Sequence, residues 1–105
     1  MAFPVQISYH GVDPSESLNK LIHAEAAKLE KFFDGIVSCR VLVEHQGGHR
    51  HTEAPLHIRL NILVPGADLA IDSEPTVREA FRGAKRRIKE YAQRKAGPHH
   101  RSSIR

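Results

Sequence analysis

Five cations share one flank of a segment with helical periodicity near the C-terminal end of the chain: Arg78, Arg82, Lys85, Arg86 and Lys89. With Val77 at zero on a helical wheel, Lys85, Arg78, Lys89 and Arg82 fall at about 80°, 100°, 120° and 140°, and Arg86 near 180°. Glu79 and Glu90 fall beyond about 200°, so no carboxylate on that flank offsets the stripe. Like charges spaced along about 16 Å of helix repel one another in the free protein. A surface that only confers solubility mixes its signs. Phosphates along a nucleic-acid backbone are the natural counterpart, and neutralising them releases counterions.

The whole chain shows the same asymmetry. Residues 1–74 hold six basic and ten acidic side chains, a net of −4, whereas residues 75–105 hold ten and two, a net of +8. The overall +4 of the 105-residue chain therefore hides a strongly basic end on a mildly acidic body, the electrostatic footprint of a polyanion binder.

Other chemistry-bearing residues point nowhere as definite. His45, His49 and His51 surround Gly47-Gly48, but no cysteine or ordered helix stands beside them as in strong zinc signatures, so they read as a polar loop and no metal is expected. The single Cys39 cannot form an internal disulfide and lies among Val37, Val41 and Val43, which makes it a buried small hydrophobe. There is no glycine-rich phosphate loop, nucleophile elbow or carboxylate pair. The expectation is a protein that is not an enzyme, with no cofactor and no small-molecule substrate.

The elements that must position the stripe follow from periodicity. Residues 3–9 alternate apolar and polar, and Pro4 marks the strand as an edge. Asp13-Pro14-Ser15-Glu16 reads as a helix start, with Asp13 as the cap, Pro14 at the first helical position and Glu16 closing a capping box. Leu18, Leu21, Ile22, Ala26, Leu29, Phe32 and Phe33 form its apolar stripe, with Glu25 inside the arc, and Gly35 is expected to supply a left-handed stop. Residues 36–45 alternate with Val37, Cys39, Val41 and Val43 on the core face. Residues 46–54 read as a hairpin loop, 56–64 as a third strand, Pro65-Gly66-Ala67-Asp68 as a turn and Leu69 and Ile71 as a short fourth strand. A second helix runs from about Pro75 to Lys95, where Ala96-Gly97-Pro98 is expected to end it.

The order β-α-β-β-β-α predicts an α+β two-layer sandwich, a four-stranded sheet with both helices on one face. The crossover helix makes the first two strands parallel, and the short connections make the last three antiparallel. Residues 1–95 form one domain on this reading, and residues 96–105 a basic flexible tail. The chain shows neither a signal-peptide pattern nor an apolar run of membrane-spanning length. Edge strand and open sheet face permit a monomer or a weak dimer.

Segment 16–36, ESLNKLIHAEAAKLEKFFDGI, resembles the ribosome hibernation factors, the group of hibernation promoting factor and ribosome-associated inhibitor A, also called the sigma-54 modulation protein family. Leu18, Ala24, Lys28-Leu29-Glu30, Phe33 and Asp34 carry the likeness, with LVPGADLAI at 63–71 as a second match. The resemblance implies a cytoplasmic, stress-linked factor that binds rRNA of the small ribosomal subunit in its decoding channel and blocks the mRNA and tRNA sites. It also implies that Arg78, Arg82, Lys85, Arg86 and Lys89 grip phosphates, with Lys28 and Lys31 as secondary contacts. Long members continue into a dimerising domain that this chain is expected to lack.

Two departures stand out. Glu25 occupies a place where the family often has Lys, and Arg82 one where it often has an acid, so the second helix compensates in charge for the first. On that view Glu25→Lys tightens ribosome binding, and an unchanged affinity in a titration contradicts it. Alternative readings are an RNA-binding domain that acts off the ribosome, or a basic protein-interaction module using Leu42 and Leu63 on the open sheet face.

Overall fold

The computed structural model describes residues 3–45 and 56–104, with side chains to Arg94. The elements are β1 (Val5–His10), α1 (Glu16–Phe32), β2 (Ser38–His45), β3 (Leu56–Val64), β4 (Ala67–Glu74) and α2 (Val77–Ile104). The sheet order is β1-β2-β3-β4. β1 runs parallel to β2, with Val5 opposite Cys39 and Tyr9 opposite Val43. The pairs β2–β3 and β3–β4 are antiparallel. The sequence order therefore becomes the expected α+β sandwich.

Alternation along the strands places the core. Cys39, Val41, Val43, Ile58, Leu60, Ile62, Val64, Leu69 and Ile71 are buried on one face, where they meet Ile22, Ala26 and Leu29 of α1 and Val77, Ala80, Phe81, Ala84 and Ile88 of α2. The opposite face stays open. An irregularity between Ile58 and Leu60 shifts the register with β4, so Asp72 and Ser73 leave the alternation and stand exposed. β4 is longer than Leu69 and Ile71 alone suggest, because pairing starts at Ala67 directly after Pro65-Gly66. Gly66 has φ of +86°, which the second centre of such a turn requires.

Four local expectations are corrected. The cap of α1 is Ser15 rather than Asp13: Ser15 is extended, and its Oγ accepts the Leu18 N–H at 3.2 Å. The Tyr9 hydroxyl sets this start from β1, lying 2.8 Å from Asn19 Oδ1 and 3.1 Å from the Ser15 carbonyl. Glu16 then stands in the first turn, where a negative charge favours the helix dipole. Ser15→Ala is expected to cost about 1 kcal/mol in denaturant unfolding, and Asp13→Ala close to nothing.

Gly35 is not a left-handed stop. The helix ends because Phe33 turns extended, its N–H still bonded to the Leu29 carbonyl at 2.9 Å, so that its ring meets Tyr91 edge-on at 6.5 Å. A Cβ on Gly35 would come within 2.8 Å of that same ring, which accounts for the glycine. Val37 does not join the core either. Chain reversal buries Ile36 instead, and Val37 is exposed while its N–H bonds the Leu63 carbonyl at 2.7 Å.

Helix α2 starts at a reciprocal cap. Thr76 Oγ1 accepts the Glu79 N–H at 3.1 Å and donates to Glu79 Oε1 at 3.3 Å. The helix continues to Ile104, past Gly97 and Pro98, where composition predicts a stop. A proline within a helix removes one N–H from the ladder and crowds the carbonyl four residues before it, a local loss of about 3 kcal/mol or more.

Cys39 is the buried hydrophobe that its neighbours predict, 1% exposed, and burial pushes its thiol up to about 12. A folded value above the unfolded one stabilises the fold fully below about 9, and the contribution fades as pH climbs towards about 12. Iodoacetamide at neutral pH is expected to leave native Cys39 unmodified and to label it fully once the protein is unfolded, as read by mass spectrometry.

Candidate nucleic-acid interface

The face that buries Val77, Phe81, Ala84 and Ile88 rotates the α2 cations to a flank beside α1. Between the helices lies a groove lined by Glu25, Lys28, Leu29, Arg78, Phe81, Arg82 and Lys85. Leu29 and Phe81 form its apolar floor, and its rim carries four cations. The structure thus brings Arg78, Arg82 and Lys85 together with Lys28 across two helices. Lys89 follows Lys85 by four residues, one turn further along the same flank. Arg86, Lys89 and Lys31 are exposed and lie outside the groove lining.

Glu25 is the single carboxylate of the groove lining. Its place in the apolar arc leaves its side chain 13% exposed, and it meets Lys28 Nζ at 3.2 Å. Because Lys28 is 64% exposed, water and salt screen this pair and its worth is at most about 1 kcal/mol. A phosphate entering the groove competes with the Glu25 carboxylate for Lys28. Lys85 reaches towards α1, its Nζ 5.7 Å from the centre of the Phe32 ring.

Arg87, on the opposite flank, serves the fold. Its guanidinium donates to the Ala70 carbonyl on edge strand β4 at 2.6 Å. Tyr91 ties α2 to the β3–β4 turn by donating to the Pro65 carbonyl. These two bonds lock the rotation of α2 and so fix which cations face outward.

The open sheet face is organised differently. His57 bonds the Ser73 hydroxyl through Nδ1 and lies 3.1 Å from the Glu44 carboxylate through Nε2, and Arg59 approaches Glu44 at 3.8 Å. Asn61 donates to Asp68 at 3.0 Å. Leu42 and Leu63 do not form one apolar patch. Leu42 pairs with Arg59, and Leu63 lies four residues further along β3, about 13 Å away.

Residues 5–96 match the sigma 54 modulation protein / S30EA ribosomal protein family. The chain belongs to that family. Its fold is similar to a ribosomal subunit interface protein from Coxiella burnetii, with a TM-score of 0.70 and 15% identity over 85% of this chain and 97% of that one. It is also similar to the N-terminal domain of Thermus thermophilus Protein Y, with a TM-score of 0.58 and 13% identity over 85% and 93%. Among curated proteins none matches the sequence.

Membership of the sigma 54 modulation / S30EA family bears out the resemblance carried by Leu18, Ala24, Lys28-Leu29-Glu30, Phe33 and Asp34. The structure explains part of that pattern. Leu29 floors the groove, Lys28 stands on its rim, and Phe33 closes α1 against Tyr91. Among the described residues no helix is long and apolar enough to cross a membrane. Of the loop histidines only His45 falls within the described residues, buried at the end of β2, and His49 and His51 lie outside them.

Proposed function

We propose that this chain is a ribosome-associated translation inhibitor that binds rRNA of the small subunit in the decoding channel and blocks the mRNA and tRNA sites. The observation that carries the proposal is the inter-helix groove, where Arg78, Arg82, Lys85 and Lys28 stand around one carboxylate on a family fold. Arg86 and Lys89 extend the contact along α2, and Lys31 extends it along α1.

Such a surface recognises backbone and shape. None of its side chains is a base-edge reader held in a fixed plane, and guanidinium and ammonium groups on two adjacent helices suit phosphates that converge from two strands or one tight bend. Folded RNA offers that convergence. The family's description as an S30EA ribosomal protein, and the name of one similar structure, a ribosomal subunit interface protein, support a ribosomal partner for this fold.

Occupancy of the channel is tested by competition on purified small subunits. Saturating protein is expected to abolish retention of a labelled mRNA and initiator tRNA, with mutual displacement as either is raised. Subunits that carry the protein and still accept both ligands at full level would contradict the channel assignment.

A further inference from the structure

We propose that Phe32 is a stacking site for an unpaired nucleobase beside the cationic groove. The proposal rests on the RNA-binding reading of that groove and adds to it a residue that reads single-stranded bases. By spacing alone Phe32 belongs to the apolar stripe of α1, yet it is 46% exposed, one of three large hydrophobic side chains left open to solvent among the described residues. Its surroundings are cationic. Glu25, Lys28 and Phe32 fall at i, i+3 and i+7 on the flank of α1 that faces α2, so the ring continues the rim of the groove by one turn. Lys85, itself part of the groove lining, holds its ammonium over the ring.

An exposed aromatic ring with cations around it suits a partner that is both a polyanion and a carrier of flat π-faces. A protein docking surface would gather further apolar side chains, but the other two exposed hydrophobics, Val37 and Leu63, meet each other through a backbone bond at the sheet. Nucleic acid with unstacked bases has both properties. A phosphate taken by Lys28 and Lys85 places the adjoining nucleoside within reach of Phe32, and the base replaces the Lys85 ammonium on the ring as that ammonium turns to the phosphate. Duplex RNA keeps its bases stacked internally and offers Phe32 nothing.

The chain contains no Trp, so Phe32→Trp installs a sole indole fluorophore at the site. At nearly half exposure the position tolerates the larger ring, and circular dichroism checks the fold. Three probes of equal phosphate number are compared: a mixed-sequence single-stranded RNA, an abasic strand and a blunt duplex. Binding is followed in parallel by anisotropy of a label on each probe. The expected result is strong quenching of Trp emission by the single strand and little by the abasic strand or duplex. Phe32→Ala is expected to lose about tenfold in affinity for the single strand and little for the duplex, and Phe32→Tyr to lose little for either. Equal quenching by the abasic strand would overturn the stacking site. So would salt-sensitive anisotropy without any emission change, a result that leaves the RNA reading standing. Absence of binding to every probe would remove both.

Discussion

Reversing three charges, Arg82→Glu, Lys85→Glu and Lys89→Glu, is expected to weaken RNA and ribosome association by orders of magnitude while leaving the fold intact. Each of these side chains is exposed. Arg82 makes no hydrogen bond or ion pair with a described residue, nor does Lys89, and Lys85 gives up one cation–π interaction of about 0.5–1 kcal/mol. Stability should therefore move little. Affinity should move greatly. If six or more phosphates are neutralised in the complex, raising salt from about 50 to 200 mM costs the wild type about a thousandfold or more. Removing one phosphate-binding cation lowers the salt slope by about one, so the variant's slope should fall by about three. The reversed charges add repulsion from Glu at three positions along the stripe. Anisotropy titrations across a salt series measure both quantities. A variant with wild-type slope would place the interface elsewhere.

The largest effect on stability is expected from Phe81→Ala. Phe81 is 2% exposed and reaches from α2 into the cluster formed by both helices and the sheet, and it also floors the groove. Truncation of a buried Phe costs about 3–5 kcal/mol through the transfer energy forgone and the cavity left behind. Against a total of about 5–15 kcal/mol for a domain of this class, that removes a large share of the stability. Denaturant unfolding should show a shifted midpoint with an unchanged slope. A cost below about 1 kcal/mol would mean that α2 is not seated on the sheet as described.

The fold was legible wherever a period was long. A helical stripe sustained over several turns, or two complementary strand alternations, leaves few ways to bury the apolar set, and the parallel β1–β2 pair follows from the intervening helix. What failed was local and tertiary in origin. Asp13 and Ser15 are both competent caps by composition, and the choice falls to Ser15 through the Tyr9 hydroxyl, ten residues from its partner Asn19. Gly35 reads as a helix stop, yet the requirement comes from the Phe33 ring folding over it. Val37 alternates correctly with Cys39 but precedes the strand, so the alternation does not apply to it.

The site was legible in part for the same reason. The α2 stripe follows from one wheel, because the apolar residues fix the rotation of the helix and the cations take what is left. The pairing of that stripe with Lys28, and the position of Glu25 within the groove, depend on which flanks of two separate helices meet. No spacing within one segment carries that information. Phe32 shows the limit most plainly: periodicity assigns it to the core, and only the place where α1 ends, one residue later at Phe33, leaves it outside.

Ribosome binding through the groove and the α2 stripe is tested most directly by sedimentation of the purified protein with small subunits and whole ribosomes on sucrose gradients at low and high salt. The groove and stripe predict co-migration with the small subunit and with whole ribosomes at low salt, release at high salt, and no co-migration of the triple charge-reversal variant at either. Wild-type protein that stays at the top of the gradient at low salt would contradict the account.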